Sequence, residues 1–314
     1  MASFFMFALS TCWNASRHTD GQAMLEEVRA LGFEYAELGH NTSIALLPGI
    51  LAAVKSVVIK ISSLHNFCPL PIGVTGMAPD CYLPSAEDDR ERDQAVRHTL
   101  RTMECAAAVG AKVVVLHLGR IPIRWPNYPR RLIGMYMAGQ AQTPQFEQVR
   151  QKALMARERK RQKYFAQVCR ALDRLIPRAK ELGVKLGMET RLGVEEIPSE
   201  DEADNLIGCY GGDVLAYWFD NAHAQIKENM GLLRTESVLE RFRGHTAGMH
   251  LQDFTPPMMD HLAPGTGEYA FERLAPFVTQ EMILSWEIHG NWDTQVIIDG
   301  TQRVRKILGR AAAA

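Results

Sequence analysis

The stretch Leu182-Gly183-Val184-Lys185-Leu186-Gly187-Met188-Glu189 holds the unit from which the fold is read. Ahead of it lies a long charged, amphipathic segment, so Gly183 stands where a helix stops and supplies the left-handed turn that ends it. Residues 184–189 then form a short apolar run, the character of a strand buried on both faces. The run ends on a carboxylate. Helix, glycine, buried strand and polar terminus together describe one β-α repeat around a parallel sheet.

The unit recurs in both directions along the chain. Leu31-Gly32-Phe33 and Val109-Gly110-Ala111 repeat the helix stop before an apolar run. Candidate strands fall at 3–9, 33–38, 56–64, 112–118, 184–189, 214–219, 246–251 and 281–287. Helical stretches fall at 20–31, 44–54, 87–109, 147–182, 200–208, 235–243, 268–278 and 293–309. Eight alternating pairs predict an α/β fold, a closed parallel (β/α)8 TIM barrel, with 1–314 as a single domain. No G-x-G-x-x-G follows the first strand, which argues against an open dinucleotide-binding sheet.

Two segments exceed a minimal barrel. The Pro- and Gly-rich loop 66–86 follows strand three and is placed to cover the mouth. After strand four comes an insertion, 119–163, carrying RIPIRWPNYPRR and the charged run ARERKRQKY. It is read as a lid or an interaction arm, with the charges of 157–163 as a solvated helix face.

Bulk properties narrow the class. Hydrophobic residues are 46% and charged residues 23% of 314, ordinary globular composition with material for a large core. A net charge of −1 gives no global field for nucleic acid or an anionic membrane. Six cysteines without a C-x-x-C pair indicate neither a zinc ribbon nor a disulfide scaffold, and fit a reducing cytoplasm. MASFFMFALSTCWN lacks the basic start of a signal peptide and reads as the first strand. No apolar run reaches the roughly 20 residues of a membrane span. Homo-oligomerisation is left open.

In α/β barrels the reaction site lies where strands end. Strand five ends at Glu189, strand six at Asp220, strand seven at His250 and strand eight at Glu287, while strands three and four add His65 and His117. Three carboxylates converging on one buried mouth repel strongly unless a cation joins them. Two Glu, one Asp and one His form a mostly oxygen site for one divalent metal ion, Mn²⁺ first, with Zn²⁺, Mg²⁺ or Co²⁺ as alternatives. Arg191, two residues past Glu189, shares its face and can hold an anionic group or pair with a neighbouring carboxylate. His18, His40, His98 and His245 carry no assigned role.

HNF (65–67), VVLHLG (114–119), MET (188–190), FDNAH (219–223), GMHLQD (248–253), DHLAPGTGEYAFERL (260–274) and WEIH (286–289) together resemble the xylose isomerase-like TIM barrel superfamily. By that resemblance the metal is held by Glu189, Asp220, His250 and Glu287. The same two glutamates, Glu189 and Glu287, are implied as the acid/base pair, with His223 and Arg191 on substrate oxygens. His65, His117 and His261 complete the expected substrate contacts; where such epimerases commonly carry an Arg after the strand-seven His, this chain has His261. The implied function is a metal-dependent isomerase or epimerase of a small sugar-like carbonyl compound, working by proton transfer. Two alternatives share the fold: an inosose-dehydratase-like lyase, and an apurinic-site endonuclease with three zinc ions, for which His65, His117, His223, Asp260 and His261 would be the extra ligands. The absence of a basic, aromatic-interleaved surface speaks against a nucleic-acid partner.

Overall fold

The structure is a computed structural model that describes residues 5–75 and 78–311. Its strands are β1 (Met6–Ser10), β2 (Tyr35–Leu38), β3 (Lys60–His65), β4 (Val113–Leu116), β5 (Lys185–Glu189), β6 (Leu215–Asp220), β7 (Thr246–Leu251), β8 (Asp253–Thr255), β9 (Met259–Leu262) and β10 (Ile283–Trp286). Eight of them close a barrel in the order β1-β10-β7-β6-β5-β4-β3-β2, every adjacent pair parallel. β8 and β9 form a separate antiparallel hairpin at the mouth. Each predicted strand overlaps an observed barrel strand; residues 3 and 4 of the first lie outside the described residues.

Around the barrel run α1 (Gly21–Ala30), α2 (Leu47–Lys55), α3 (Asp89–Val109), α4 (Tyr128–Met137), α5 (Pro144–Leu182), α6 (Glu200–Tyr210), α7 (Asn221–Asn229), α8 (Thr235–Arg241) and α9 (Thr294–Ala311). Gly110 and Gly183 end α3 and α5 in the left-handed region, at φ 77° and 64°. Asp20, Asp88, Thr143 and Ser199 cap the starts of α1, α3, α5 and α6 through their side-chain oxygens.

Three differences from the sequence reading have physical causes. The helix expected at 268–278 is only a 3-10 turn, Phe271–Leu274, because Pro276 lacks the donor a continuing helix needs. α4 forms inside a proline-rich stretch, with Pro129 in its first turn where the missing N–H costs nothing. The charged run is not uniformly solvated: Arg157 is buried and grips Glu202 at 2.6 and 3.1 Å and the Glu196 carbonyl at 3.1 Å. Thus the 39-residue α5 carries the second half of segment 119–163 and fastens to the loop after β5.

Alternation along the strands builds the floor of the site. Two residues before each inward polar terminus lies an inward residue of the layer below. These include Gly187 under Glu189, Trp218 under Asp220 and Gly248 under His250. Val113, Val115, Trp218 and Ile283 pack together in the lumen as a cluster apart from the main core. A Cβ on Gly248 would meet the Trp218 ring at 2.5 Å, so glycine there makes room for the indole. The main core lies outside the barrel, between sheet and helices.

At the opposite, N-terminal end a cavity of about 720 Å³ is lined by Met6, Tyr35, Lys60, Lys112, Lys185 and Glu281 among others. It lies away from the converging carboxylates and imidazoles. One packing contact is testable: a Cβ on Gly300 of α9 would stand 1.8 Å from the Pro264 carbonyl oxygen. Gly300→Ala is expected to cost about 1–3 kcal/mol by overpacking, read as a lowered thermal midpoint. An unchanged midpoint would show that α9 does not seat on the 263–267 loop.

Candidate functional site

His250 is the centre of the polar cluster. Its Nδ1 lies 3.1 Å from Glu287 Oε2, 3.5 Å from Glu189 Oε1 and 3.9 Å from Asp220 Oδ2. All four groups, from the ends of β5, β6, β7 and β10, are buried. Its Nε2 faces Glu37 of β2 at 3.2 and 3.3 Å, and Ser63 donates to Glu37 at 2.8 Å. Glu37 thereby turns Nδ1 towards the three carboxylates, the way an outer carboxylate orients a ligating imidazole.

Further imidazoles surround Glu189. His65 Nε2 and His117 Nε2 reach its Oε2 at 3.2 and 2.8 Å, while His223 Nδ1 lies 3.3 Å from its Oε1. Asp80, from the loop 66–86, accepts from His117 at 2.8 Å and pairs with Arg120 at 2.6 Å, so that loop does fold onto the mouth. Residues 76 and 77 of it lie outside the described residues. Arg191 holds Glu196 through Nε and Nη2 at 3.1 and 2.9 Å and brings Nη1 to 2.7 Å from His117 Nε2.

His261 joins from the hairpin. Its backbone adopts φ 54°, uncommon for a residue with a side chain, and the Gln252 side chain accepts from its N–H. Gln252 also donates to Asp220 Oδ2 at 2.7 Å, so one amide couples the strained residue to the cluster. The His261 ring stacks on His289 at 3.9 Å, with Nε2 3.8 Å from Glu287 Oε2.

Charge is unevenly balanced. Burial opposes the Glu189 carboxylate, but His117, His223 and His250 outweigh it and hold its pKa well below the usual range. Asp220 goes the other way: burial and the Glu189 charge push its pKa up despite His223 and His250. Burial disfavours the charge on His223, yet Asp220 and Glu189 raise its pKa to about 9. Burial lowers the pKa of His289 to about 4. Of the three carboxylates around His250, Asp220 is thus the one whose charge burial and the neighbouring Glu189 disfavour.

Two buried atoms of the cluster, Glu189 Oε1 and His250 Nδ1, have no hydrogen-bond partner among the described residues. Donors about 2.1 Å from one cation stand about 3–4 Å apart, and His250 Nδ1 keeps that spacing to an oxygen of each of the three carboxylates. One tetrad and one triad of ligand atoms within 4.8 Å of one another share this mouth: His65, Glu189, His250 and Glu287, and Glu189, Asp220 and His223. A third group, Cys12, His40, Glu287 and His289, meets the same criterion.

Every site residue expected from the sequence lies in this one mouth: Glu189, Glu287, Asp220, His250, His65, His117, Arg191, His223 and His261. Sequence reasoning missed Glu37, Asp80 and Cys12, gave His289 no separate role, and left His40 without one. His40 is buried with Nε2 3.7 Å from Glu287 Oε1. The strand-end rule, applied to β1 and β2 as it was to later strands, points to Cys12, Glu37 and His40.

No match is found among curated proteins. By structure the chain is similar to an L-ribulose 3-epimerase (TM-score 0.68, 14% identity, covering 99% of this chain and 96% of the other). It is also similar to a D-tagatose 3-epimerase-like protein (TM-score 0.66, 16% identity, 98% and 99%). A third is the 3-keto-D-glucoside 4-epimerase of E. coli (TM-score 0.63, 15% identity, 99% and 100%). At these identities the likeness speaks for the shared barrel. The sequence pattern described as Xylose isomerase-like TIM barrel runs over residues 25–306, from α1 into α9, and the chain belongs to that family.

Proposed function

We propose that the protein is a metal-dependent isomerase or epimerase of a small sugar-like carbonyl compound, with one divalent cation held by Glu189, Asp220, His250 and Glu287. The observation that carries this reading is the convergence of three buried carboxylates on His250 Nδ1, with that nitrogen and Glu189 Oε1 lacking hydrogen-bond partners among the described residues. The donor set is rich in oxygen, which favours Mn²⁺ over a closed structural Zn²⁺ site. Such a cation, when bound, polarises a carbonyl and acidifies the hydrogen on the adjacent carbon.

The chain's own groups supply the rest. Glu189 and Glu287 enter from β5 and β10, so one carboxylate takes the proton and the other returns it. His65, His117, His223 and His261 ring the same space as donors and acceptors for substrate hydroxyls. Arg191, braced by Glu196, presents a fixed charge beside His117. Asp80 of the loop 66–86 and Arg120 of the segment 119–163 pair with each other beside His117, at the rim of the mouth. The activities of the structurally similar epimerases accord with this substrate class, and six free cysteines accord with a reducing compartment.

The three-zinc nuclease reading is supported by Glu189 Oε2 facing both His65 and His117. Against it, Arg191 Nη1 stands 2.7 Å from His117 Nε2, where a further cation on that imidazole would have to sit. The test is solvent exchange. With Mn²⁺, the protein is expected to place deuterium from D₂O on the carbon next to the carbonyl of at least one ketose in a panel. Chelation should stop this, and added Mn²⁺ should restore it. No exchange into any member of the panel would contradict the reading.

A further inference from the structure

Glu287 has two oxygens, and they face different partners. Oε2 points to His250 Nδ1 at 3.1 Å, inside the site described above. Oε1 points away from it, 3.8 Å from Cys12 Sγ and 3.7 Å from His40 Nε2. His289, two residues beyond Glu287, completes the group, and one ligand atom from each of the four lies within 4.8 Å of every other. His40 is buried, and among the described residues neither its Nδ1 nor His289 Nε2 has a hydrogen-bond partner. Polar nitrogens in such a setting carry a desolvation cost unless a ligand meets them.

The backbone is shaped to bring the thiol in. A Cβ on Gly39 would stand 2.4 Å from Cys12 Sγ, so only glycine leaves room for the sulfur beside the end of β2. A cavity of about 610 Å³, lined by Cys12, Trp13, Asn41, Leu70, Val74 and His289 among others, leads from the surface to this group. An ion therefore has a path that does not cross the first site.

We propose that Cys12, His40, Glu287 and His289 form a second divalent-cation site, joined to the first through the Glu287 carboxylate. One sulfur, two imidazoles and one carboxylate oxygen make a softer donor set than the first site and select Zn²⁺ or Co²⁺ over Mn²⁺ and Mg²⁺. Binding displaces the Cys12 thiol proton to solvent and leaves a thiolate–metal bond. It also occupies Oε1, the oxygen Glu287 would use to carry a proton. Filling the second site thus withdraws Glu287 from proton transfer; this consequence rests on the function proposed above, whereas the site itself does not.

The test uses the full chain, stripped with a chelator and titrated with Co²⁺ and separately with Zn²⁺. Wild type is expected to show a near-ultraviolet thiolate-to-Co²⁺ band. Cys12→Ser should abolish the band and lower bound metal by one equivalent per chain. His289→Ala, a milder change at a half-buried position, should also lower it by one, with circular dichroism confirming the fold of both. Asp220→Asn should retain the band. A wild type without the band, or a Cys12→Ser variant that binds as much metal as wild type, would overturn the site. In the exchange assay, Zn²⁺ added to the Mn²⁺ enzyme should inhibit wild type and spare Cys12→Ser. Equal inhibition of both would overturn the role of Glu287 as the shared ligand.

Discussion

Glu189→Gln is expected to lower solvent exchange into the substrate by about 10²- to 10⁴-fold, the range for loss of a positioned acid or base. The amide keeps the shape of the side chain but cannot take up a proton, and it is a weaker donor to a cation. Measuring at saturating Mn²⁺ separates the two effects, since added metal offsets lost affinity but not lost proton transfer. The fold should survive, because Gln can still accept from His65 and His117, which now face Glu189 Oε2 at 3.2 and 2.8 Å. Rates equal to wild type at saturating metal would remove Glu189 from the proton path.

Arg157→Met should be the most damaging change far from the mouth. Glu202 is buried and receives Arg157 through two nitrogens, at 3.1 and 2.6 Å, while also accepting from the Ser199 N–H at the start of α6. Removing the guanidinium strands that carboxylate, at a cost of about 3–5 kcal/mol. Arg157→Lys should recover only part, since an ammonium cannot bond both oxygens as the fork does. The midpoint of denaturant unfolding reads the effect. A loss below about 0.5 kcal/mol, the scale of an ordinary surface substitution, would mean the pair is solvated as the charged run suggested. Glu196 links this anchor to the site, since its carbonyl accepts from Arg157 and its carboxylate holds Arg191.

The barrel was legible because its strands are buried on both faces and therefore read as short apolar runs ending in a polar residue. β7 was placed to the residue at 246–251. The four convergent side chains were legible for the same reason: polarity at a buried strand end is costly and stands out. What stayed hidden had weaker signals. α7 begins at Asn221 with Asp220 as its cap, so strand passes to helix with no loop or glycine to mark the change. Glu37 is one of two glutamates inside FEYAEL and reads as an ordinary polar position until the pairing of β2 beside β1 brings it towards His250. Arg157 belongs to a run in which most neighbours are solvated, and only its position against α6 separates it from them. His40 and Cys12 follow the first two strands, at positions the strand-end argument reaches only when β1 and β2 are read like the later strands.

The proposed function stands on one cation joining Glu189, Asp220, His250 and Glu287. Crystals grown with Mn²⁺ and measured at the manganese absorption edge test it directly. An anomalous peak is expected about 2.0–2.3 Å from an oxygen of each carboxylate and from His250 Nδ1. A fully occupied Mn²⁺ bound elsewhere, with these four side chains turned away from one another, would contradict it.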